Sequence, residues 1–425
     1  MQSPDLPELN EARPLVSPRR DPYSALRFRD FRLLISGTFL AVVGEQMLNV
    51  AIGWELYERT RSAFLLGLVG LVQVVPVLLL ALPAGHVADR FDRKWIVVGT
   101  TLLLALSSLG LALLSYTSGP LVLIYACLLL IGVARSFQSP ATSALLAQVV
   151  PSEHFTNAAT WESSAWQASA IIGPALGGFI IAAQQSATLV YALVAALLLA
   201  MGLMLGLIRP RPVARSEEEL SVASLLAGAR FIFDSKIILA SITLDMFAVL
   251  LGGATALLPV FARDILQVGA AGLGWLRAAP ALGAVLAAVV IAYLPPFTRA
   301  GRTLLLVVAG FGLATIVFGL SRSFALSLAM LGLLGALDNI SVVIRSTLLL
   351  TRTPDAMRGR VNAVHYVFIG ISNELGAFES GLAAALFGTV GAVVGGGIGT
   401  ILVVGLVALV WPEVRRLGRL NPDES

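Results

Sequence analysis

The chain has 425 residues, 57% of them hydrophobic and only 13% charged, about half the charged share of a soluble globular domain. Over this length that composition excludes a water-soluble fold, because most of the surface has to meet lipid. The formal net charge of +4 does not indicate a nucleic-acid partner: the cations sit in short segments beside apolar runs, where membrane topology accounts for them.

The N-terminal segment 1–30 is polar and rich in Pro and Arg. It has no n-region followed by an apolar stretch, so the first span is expected to act as its own insertion signal. Arg27, Arg29 and Arg32 alternate with Phe28, Phe31 and Leu33, which predicts a short helix lying at the inner membrane face. Apolar runs punctuated by charge, Pro and Gly then predict spans over 31–57, 62–83, 95–116, 120–149, 157–183 and 187–208. After a linker they resume over 237–262, 270–294, 303–320, 324–350, 361–389 and 392–411. Each must be helical, since lipid offers the backbone no other partner.

The expected fold is an all-α integral membrane protein of twelve transmembrane helices in two pseudo-symmetric six-helix bundles. The bundles occupy 31–208 and 237–411, the linker 209–236, and the C-terminal tail 412–425. The linker opens Arg209-Pro210-Arg211-Pro212, carries Glu217, Glu218 and Glu219, and turns amphipathic between Val222 and Phe233, as a cytoplasmic surface helix would. With both termini inside, only Arg59, Arg61, Arg263 and Arg322 fall outside. The inside-to-outside ratio of Lys and Arg is about five to one, which orients the chain by the positive-inside rule. Cys127, the only cysteine, can form neither an internal disulfide nor a cysteine-based metal site, and reads as a small buried apolar residue.

The halves repeat. Ile131-Gly132-Val133-Ala134-Arg135 falls on Leu334-Gly335-Ala336-Leu337-Asp338, Pro151 on Pro354, Gly173 on Gly376 and Gly178 on Gly381. Gly44-Glu45 falls on Leu244-Asp245, so each half opens with a span bearing one carboxylate. Duplicated bundles place a substrate site between them near the bilayer midplane.

The loop after the second span reads Gly85-His86-Val87-Ala88-Asp89-Arg90-Phe91-Asp92-Arg93-Lys94. It resembles the G-x-x-x-D-R-x-x-R-[RK] signature of the major facilitator superfamily at the same loop. Gly85 would let two helices approach, Asp89 could face a helix N-terminus, and Arg90, Arg93 and Lys94 could pair with carboxylates. The resemblance implies a latch that joins the halves when the transporter faces outward, with Asp89 near the start of the eleventh span. The second-half counterpart keeps only Arg299, Gly301 and Arg302.

In the fifth span Gly173-Pro174-Ala175-Leu176-Gly177-Gly178 matches the superfamily's G-P-x-x-G-G antiporter core. Gly173, Pro174, Gly177 and Gly178 would form a kinked, close-packed hinge; Ala165 and Ala168 stand where further glycines are usual. Arg135-Ser136-Phe137-Gln138 resembles R-x-x-Q-G with Ser139 for Gly. Arg358 to Asn362 and Ser372 to Gly381 resemble the branch that includes enterobactin exporters and macrolide efflux proteins.

Glu45, Glu162, Asp245, Asp338, Glu374 and Glu379 lie within spans, where ionisable groups are costly and usually functional. A desolvated carboxylate can load and release a proton as the cavity opens to alternate sides. Glu45 leads, with Asn49 one turn on and Gln46 beside it; Asp245 is its pseudo-symmetric second. Arg135, Arg277 and Arg345 are available as partners, either to tune such a carboxylate or to neutralise it for structure. Glu374 and Glu379 diverge by about 140° around a helix and cannot both face one cavity. His365 could relay protons or sit as an interfacial side chain. Gln46, Asn49, Trp54, Glu162, Trp166 and Asn339 are candidates for the substrate cavity. Gly391, Gly395 and Gly399 recur every fourth residue in the last span, as for close packing or a dimer contact.

The expected function is proton-coupled efflux, by alternating access, of an amphipathic organic molecule such as a drug, macrolide or siderophore. The partners are that substrate, protons and the lipid bilayer of a bacterial plasma (inner) membrane, with the chain acting as a monomer. A facilitator or importer of a small metabolite and a lipid flippase are the alternatives. A receptor on a transporter scaffold would need longer tails. No Walker A motif, nucleophile elbow or H-E-x-x-H occurs, so neither ATP hydrolysis nor enzyme chemistry is expected, and no cofactor or metal is called for.

Overall fold

The computed structural model describes residues 21–211, 222–295, 297–354 and 357–418. The tails 1–20 and 419–425 and the acidic stretch Glu217–Glu219 of the linker lie outside the described residues.

Six long helices form the first bundle: α1 Arg29–Thr60, α2 Ala63–Arg90, α3 Arg93–Tyr116, α4 Leu121–Val149, α5 Phe155–Gln184 and α6 Thr188–Leu207. The short helix α7, Val222–Asp234, packs on the second bundle. That bundle comprises α8 Lys236–Leu251, a single turn α9 Leu258–Val260, α10 Gly269–Tyr293, α11 Ala300–Leu320, α12 Phe324–Arg352, α13 Arg358–Phe387 and α14 Thr389–Val410, ending in α15 Pro412–Arg416. Among the described residues, 11 helical segments are long and apolar enough to cross a membrane. Helix α13 is a twelfth of 30 residues; Asn362, His365, Asn373, Glu374 and Glu379 lower its hydropathy.

Two expectations are corrected. The surface helix foreseen around 24–34 does not form: a 3₁₀ turn Ala25–Arg27 leads straight into α1. Phe31 and Leu34 are drawn down onto Val97, Leu145 and Met201, because burying them in the bundle removes more apolar surface from water than an interfacial position would. The seventh span, read as continuous, is broken. After α8, Gly252-Gly253 interrupts the helix, a 3₁₀ turn Ala254–Leu257 and α9 follow, and a π turn Phe261–Ile265 ends the span.

The break is accommodated by glycines on neighbouring helices. A Cβ on Gly376 of α13 would lie 2.9 Å from Val249 O and 3.1 Å from Leu250 O. Gly396 of α14 meets Leu251 O in the same way. The stripe Gly391, Gly395, Gly399 packs α14 only in part: a Cβ on Gly399 would lie 3.0 Å from Leu251 Cδ1, while Gly395 meets nothing within 4 Å. Gly396 and Gly397 make the close approaches, Gly397 to Gly312 O on α11, where a Cβ would sit 2.7 Å away.

The bundles meet along α2 with α13 and α5 with α10. On these seams small residues bring backbones together, as membrane helices do when no hydrophobic effect drives association. Gly67 abuts Gly381, with a Cβ on Gly67 2.9 Å from Gly381 Cα. Gly178 abuts Gly274 at 2.8 Å by the same measure. Both contacts lie in the half of the molecule distal to the chain termini. Toward the terminal face, Leu79 of α2, Trp166 of α5 and Leu286 of α10 are exposed, and Gln167 Nε2 of α5 donates to Ala281 O of α10 at 2.9 Å.

Candidate functional site

Glu45 lies midway along α1 and Arg135 midway along α4. Arg135 Nη2 is 2.9 Å from Glu45 Oε1, and Arg135 Nη1 donates to Gln73 Oε1 of α2 at 3.0 Å. At this level a chamber of about 250 Å³ opens between the bundles. Glu45, Asn49, Gln73 and Arg135 line it from the first bundle; Thr255, Arg277, Asn373 and Glu374 line it from the second. Thr255 reaches the chamber because the α8 break displaces the backbone there, the discontinuous-helix arrangement that transporters use at their sites.

Two carboxylates and two guanidiniums therefore meet in one space, with Glu374 in electrostatic reach of Arg135, Glu45 and Arg277. Charge is tolerated at such depth only when paired. Arg277 Nε is buried with no hydrogen-bond partner among the described residues, so one donor remains for an incoming acceptor. Protonating either carboxylate would release a guanidinium to the other carboxylate or to a ligand, and would leave one positive charge that an anionic ligand group could offset.

The second bundle repeats the pair in another form. Asp245 of α8 accepts from Arg345 Nη1 of α12, which also donates to Ser341 Oγ at 3.1 Å. Asp338, the repeat counterpart of Arg135, lines the same narrow cleft with Phe311 and Leu337. The pair spans only the second bundle and does not reach the inter-bundle chamber.

The distal end of the chamber is closed by ion pairs between α1 and the end of the seventh span. Glu58 pairs with Arg263. Asp264 accepts from Tyr57 Oη and from Arg61 Nη1, the latter at 3.0 Å. Arg263 also lies over the Trp54 ring, 5.8 Å from its centroid. Arg59 pairs with Glu55 at 2.5 Å and caps the end of α3 through Gly119 O at 3.0 Å and Leu114 O at 3.1 Å. Three of the four cations counted outside thus have specific work at this end of α1 and its partner span.

The structure separates the sequence candidates. Glu45, Arg135, Glu374 and Asn49 share the chamber; Asp245 and Asp338 share the second-bundle cleft. Glu379 lies apart, taking a 3.5 Å hydrogen bond from Ser380 Oγ, in keeping with its angular offset from Glu374. Gln46 faces α5 rather than the chamber: a Cβ on Gly173 would lie 2.5 Å from Gln46 Cβ. Trp54 belongs to the distal closure. Glu162 and Trp166 line neither chamber wall on α5, and Trp166 is 55% exposed. Asn339 Oδ1 is buried without a partner among the described residues, away from the chamber.

Gly173 and Gly177 seat α5 on α1, and Gly178 seats it on α10. The Gly-Pro-Gly-Gly segment is a two-sided packing joint within a helix that runs unbroken through Pro174. Gly85 has nothing within 4 Å of a Cβ position, so the helix approach expected there is not made in this state. Lys94 Nζ donates to Gly206 O and Ile208 O, both at 2.8 Å, capping α6 within its own bundle. Arg90 is exposed and Arg93 half-buried, and the Asp89 side chain lies outside the described residues.

Sequence reasoning passed over Gln73 as a site residue, although it is the one polar side chain between Phe64 and Ala81. Arg277 was seen only as a pairing partner, and Glu58 and Asp264 not at all, since they sit at span ends where polar residues are ordinary.

A family model described as transmembrane secretion effector matches residues 20–421. The chain is 29% identical to the enterobactin exporter EntS of Shigella boydii serotype 4 (strain Sb227) over 397 residues, 92% of this chain and 94% of that one. The same protein of Escherichia coli O1:K1 / APEC is 29% identical over the same span. Among solved structures, a bacterial homolog of the human lysosomal transporter Spinster, inward-facing and occupied, superposes with a TM-score of 0.72 at 14% identity, covering 95% of this chain and 99% of that one. The nucleoside transporter NupG superposes at 0.67 with 13% identity, covering 92% of this chain and 100% of that one.

Proposed function

The chain belongs to the transmembrane secretion effector family, a multi-pass membrane transporter family of major facilitator fold, and from that premise we propose that it is a proton-driven exporter of an amphipathic organic molecule of siderophore or drug type. The observation that carries this reading is the Glu45–Arg135 pair, 2.9 Å apart, on the wall of a chamber that both bundles build. Likeness to an enterobactin exporter over nearly the whole chain supports the direction of transport.

The termini face the cytoplasm of a bacterial plasma (inner) membrane, because the cations concentrate on that side. In this reading the chamber loads from the cytoplasm, and the Glu58–Arg263 and Asp264–Arg61 contacts hold the distal side. Substrate enters from the terminal face and offers acceptors to Arg277 and Arg135. As Arg135 turns to the substrate, Glu45 loses its cation. The distal pairs part, the bundles rock, and the latch loop of Gly85 to Lys94 closes the terminal face. A proton from outside then neutralises Glu45, Arg135 is left to Glu374, and substrate leaves. On return, Glu45 releases its proton inward and recovers Arg135. Asp245 is the second candidate for a coupled proton, Asp338 lying beside it. A single chain contains the whole path, so the working unit is the monomer.

The test uses purified protein in liposomes with an imposed pH gradient, following ethidium and enterobactin in wild type and Glu45→Gln. Gradient-driven movement lost in the variant, with binding retained, is the expected result. Transport of either probe indifferent to the gradient would overturn antiport and leave a facilitator.

A further inference from the structure

A second chamber, of about 370 Å³, lies beside the inter-bundle one and is built by the first bundle alone. Its walls come from α1, α3, α4 and α6 and are mostly apolar: Val42, Leu48, Leu104, Ile131, Val194 and Leu198 among them, with hydroxyls at Thr38, Ser108 and Thr142. Glu45 and Arg135 line this chamber and the inter-bundle chamber alike. The ion pair is thus a doorway between a polar space and an apolar one.

We propose that the first-bundle chamber holds the apolar portion of the exported molecule while its polar portion occupies the inter-bundle chamber, so that the substrate straddles Glu45 and Arg135. This rests on the exporter reading above. The apolar volume falls within the range of small-molecule pockets, and apolar walls with a few placed polar groups are what such sites present. The occupant is therefore an aromatic or aliphatic group joined to a head rich in hydrogen-bond acceptors; the adjoining polar walls, with Arg277 Nε unpartnered, argue against a wholly apolar guest such as a lipid tail alone.

The placement has a mechanistic consequence. Rocking of one bundle against the other changes contacts between bundles, while a chamber inside one bundle travels with it. Apolar contacts there bind the substrate about equally in both states and cannot bias the equilibrium. The difference in affinity between loading and release falls to the polar portion, at Arg135, Arg277, Glu45 and Glu374. One apolar chamber can then accept varied ring systems without altering the coupling.

The test places a cysteine in the chamber. Ser139 is exposed and lines it, so Ser139→Cys in a Cys127→Ser background gives one thiol for a small maleimide. The full chain in liposomes is labelled with and without ethidium or enterobactin, and probe binding is measured alongside. Saturating probe is expected to slow labelling about tenfold, with Val42→Trp reducing probe affinity about tenfold, equivalent to about 1.4 kcal/mol. Leu203→Trp, on the 74% exposed face of α6, controls for added bulk and should change neither. Protection by neither probe, or Val42→Trp indistinguishable from Leu203→Trp while the fold is retained, would overturn the proposal. Protection is read without transport, so loss of gradient-driven movement with protection intact would sink the exporter reading and leave this site standing.

Discussion

In the first bundle the α1 carboxylate and the α4 guanidinium keep 43% and 25% of their side-chain surface accessible; in the second, Asp245 and Arg345 keep 10% and 4%. The repeat explains both the likeness and the difference. Glu45 and Asp245 occupy equivalent places, but Arg135 is matched by Asp338, and the second-half cation sits seven residues further on, at Arg345. Two helical turns move the pair from the wall of the chamber to the interior of a bundle. One sequence device has become a solvent-reachable pair in one half and a sealed pair in the other, and depth decides which.

The largest effect that would break this comparison is Arg345→Met. It leaves Asp245 buried without a cation, and thermal unfolding in detergent should show a loss of about 3–5 kcal/mol. Adding Asp245→Asn should recover most of it. If Arg345→Met were as stable as wild type, the second pair would not be a clamp.

Next comes the distal closure. Asp264→Asn weakens the contacts to Tyr57 and Arg61 at a half-exposed rim, so the cost is about 0.5–1 kcal/mol. That biases the protein toward the outward state by about twofold to fivefold. Labelling of Thr255→Cys by an impermeant thiol reagent from the distal side, in the Cys127→Ser background, should rise accordingly; an unchanged rate would remove Asp264 from the gate.

Glu45→Gln sharpens the contrast from the other side. The pair it breaks is hydrated, so stability should change by less than about 1 kcal/mol, although proton-coupled transport is lost. A drop as large as that of Arg345→Met would make the two pairs equivalent and leave Glu45 a structural residue.

The smallest effect lies outside both bundles' interiors, where Lys236 Nζ meets Glu413 Oε1 at 3.4 Å. The Glu413 carboxyl is held below its ordinary value of 4.5 by a backbone hydrogen bond and then by Lys236. A depressed carboxylate adds stability above its unfolded value and loses it as pH falls through the folded one. Glu413→Gln should therefore flatten only the acid limb of a melting-temperature profile, below the usual glutamate range. Any change at neutral pH beyond that of an exposed pair would contradict this.

The spans were legible because each is a long apolar run, and the repeat because Gly and Pro recur at matching places. The break in the seventh span was missed although Gly252-Gly253 stands in plain view: two glycines inside an apolar run also suit simple packing, and only the fit of Gly376 and Gly396 onto the freed carbonyls tells the cases apart. Gln46 and Asn49 looked alike on paper. Three residues set them only about 60° apart around α1, yet that offset sends Asn49 to the chamber and Gln46 to Gly173 of α5. Trp54 read as a cavity aromatic because depth along a span can be counted, whereas its stacking under Arg263 depends on another helix.

Composition and pattern alone established that the chain lives in lipid, that it is helical and duplicated, and that charged residues are placed at mid-membrane, because those properties follow from local hydropathy and from what a bilayer refuses to solvate. Which charges pair was decided by the tertiary structure: Glu45 with Arg135, Asp245 with Arg345, Glu58 with Arg263. Each of those contacts joins side chains from different elements, and their distance is set by how the helices pack against one another, a quantity no single stretch of sequence contains.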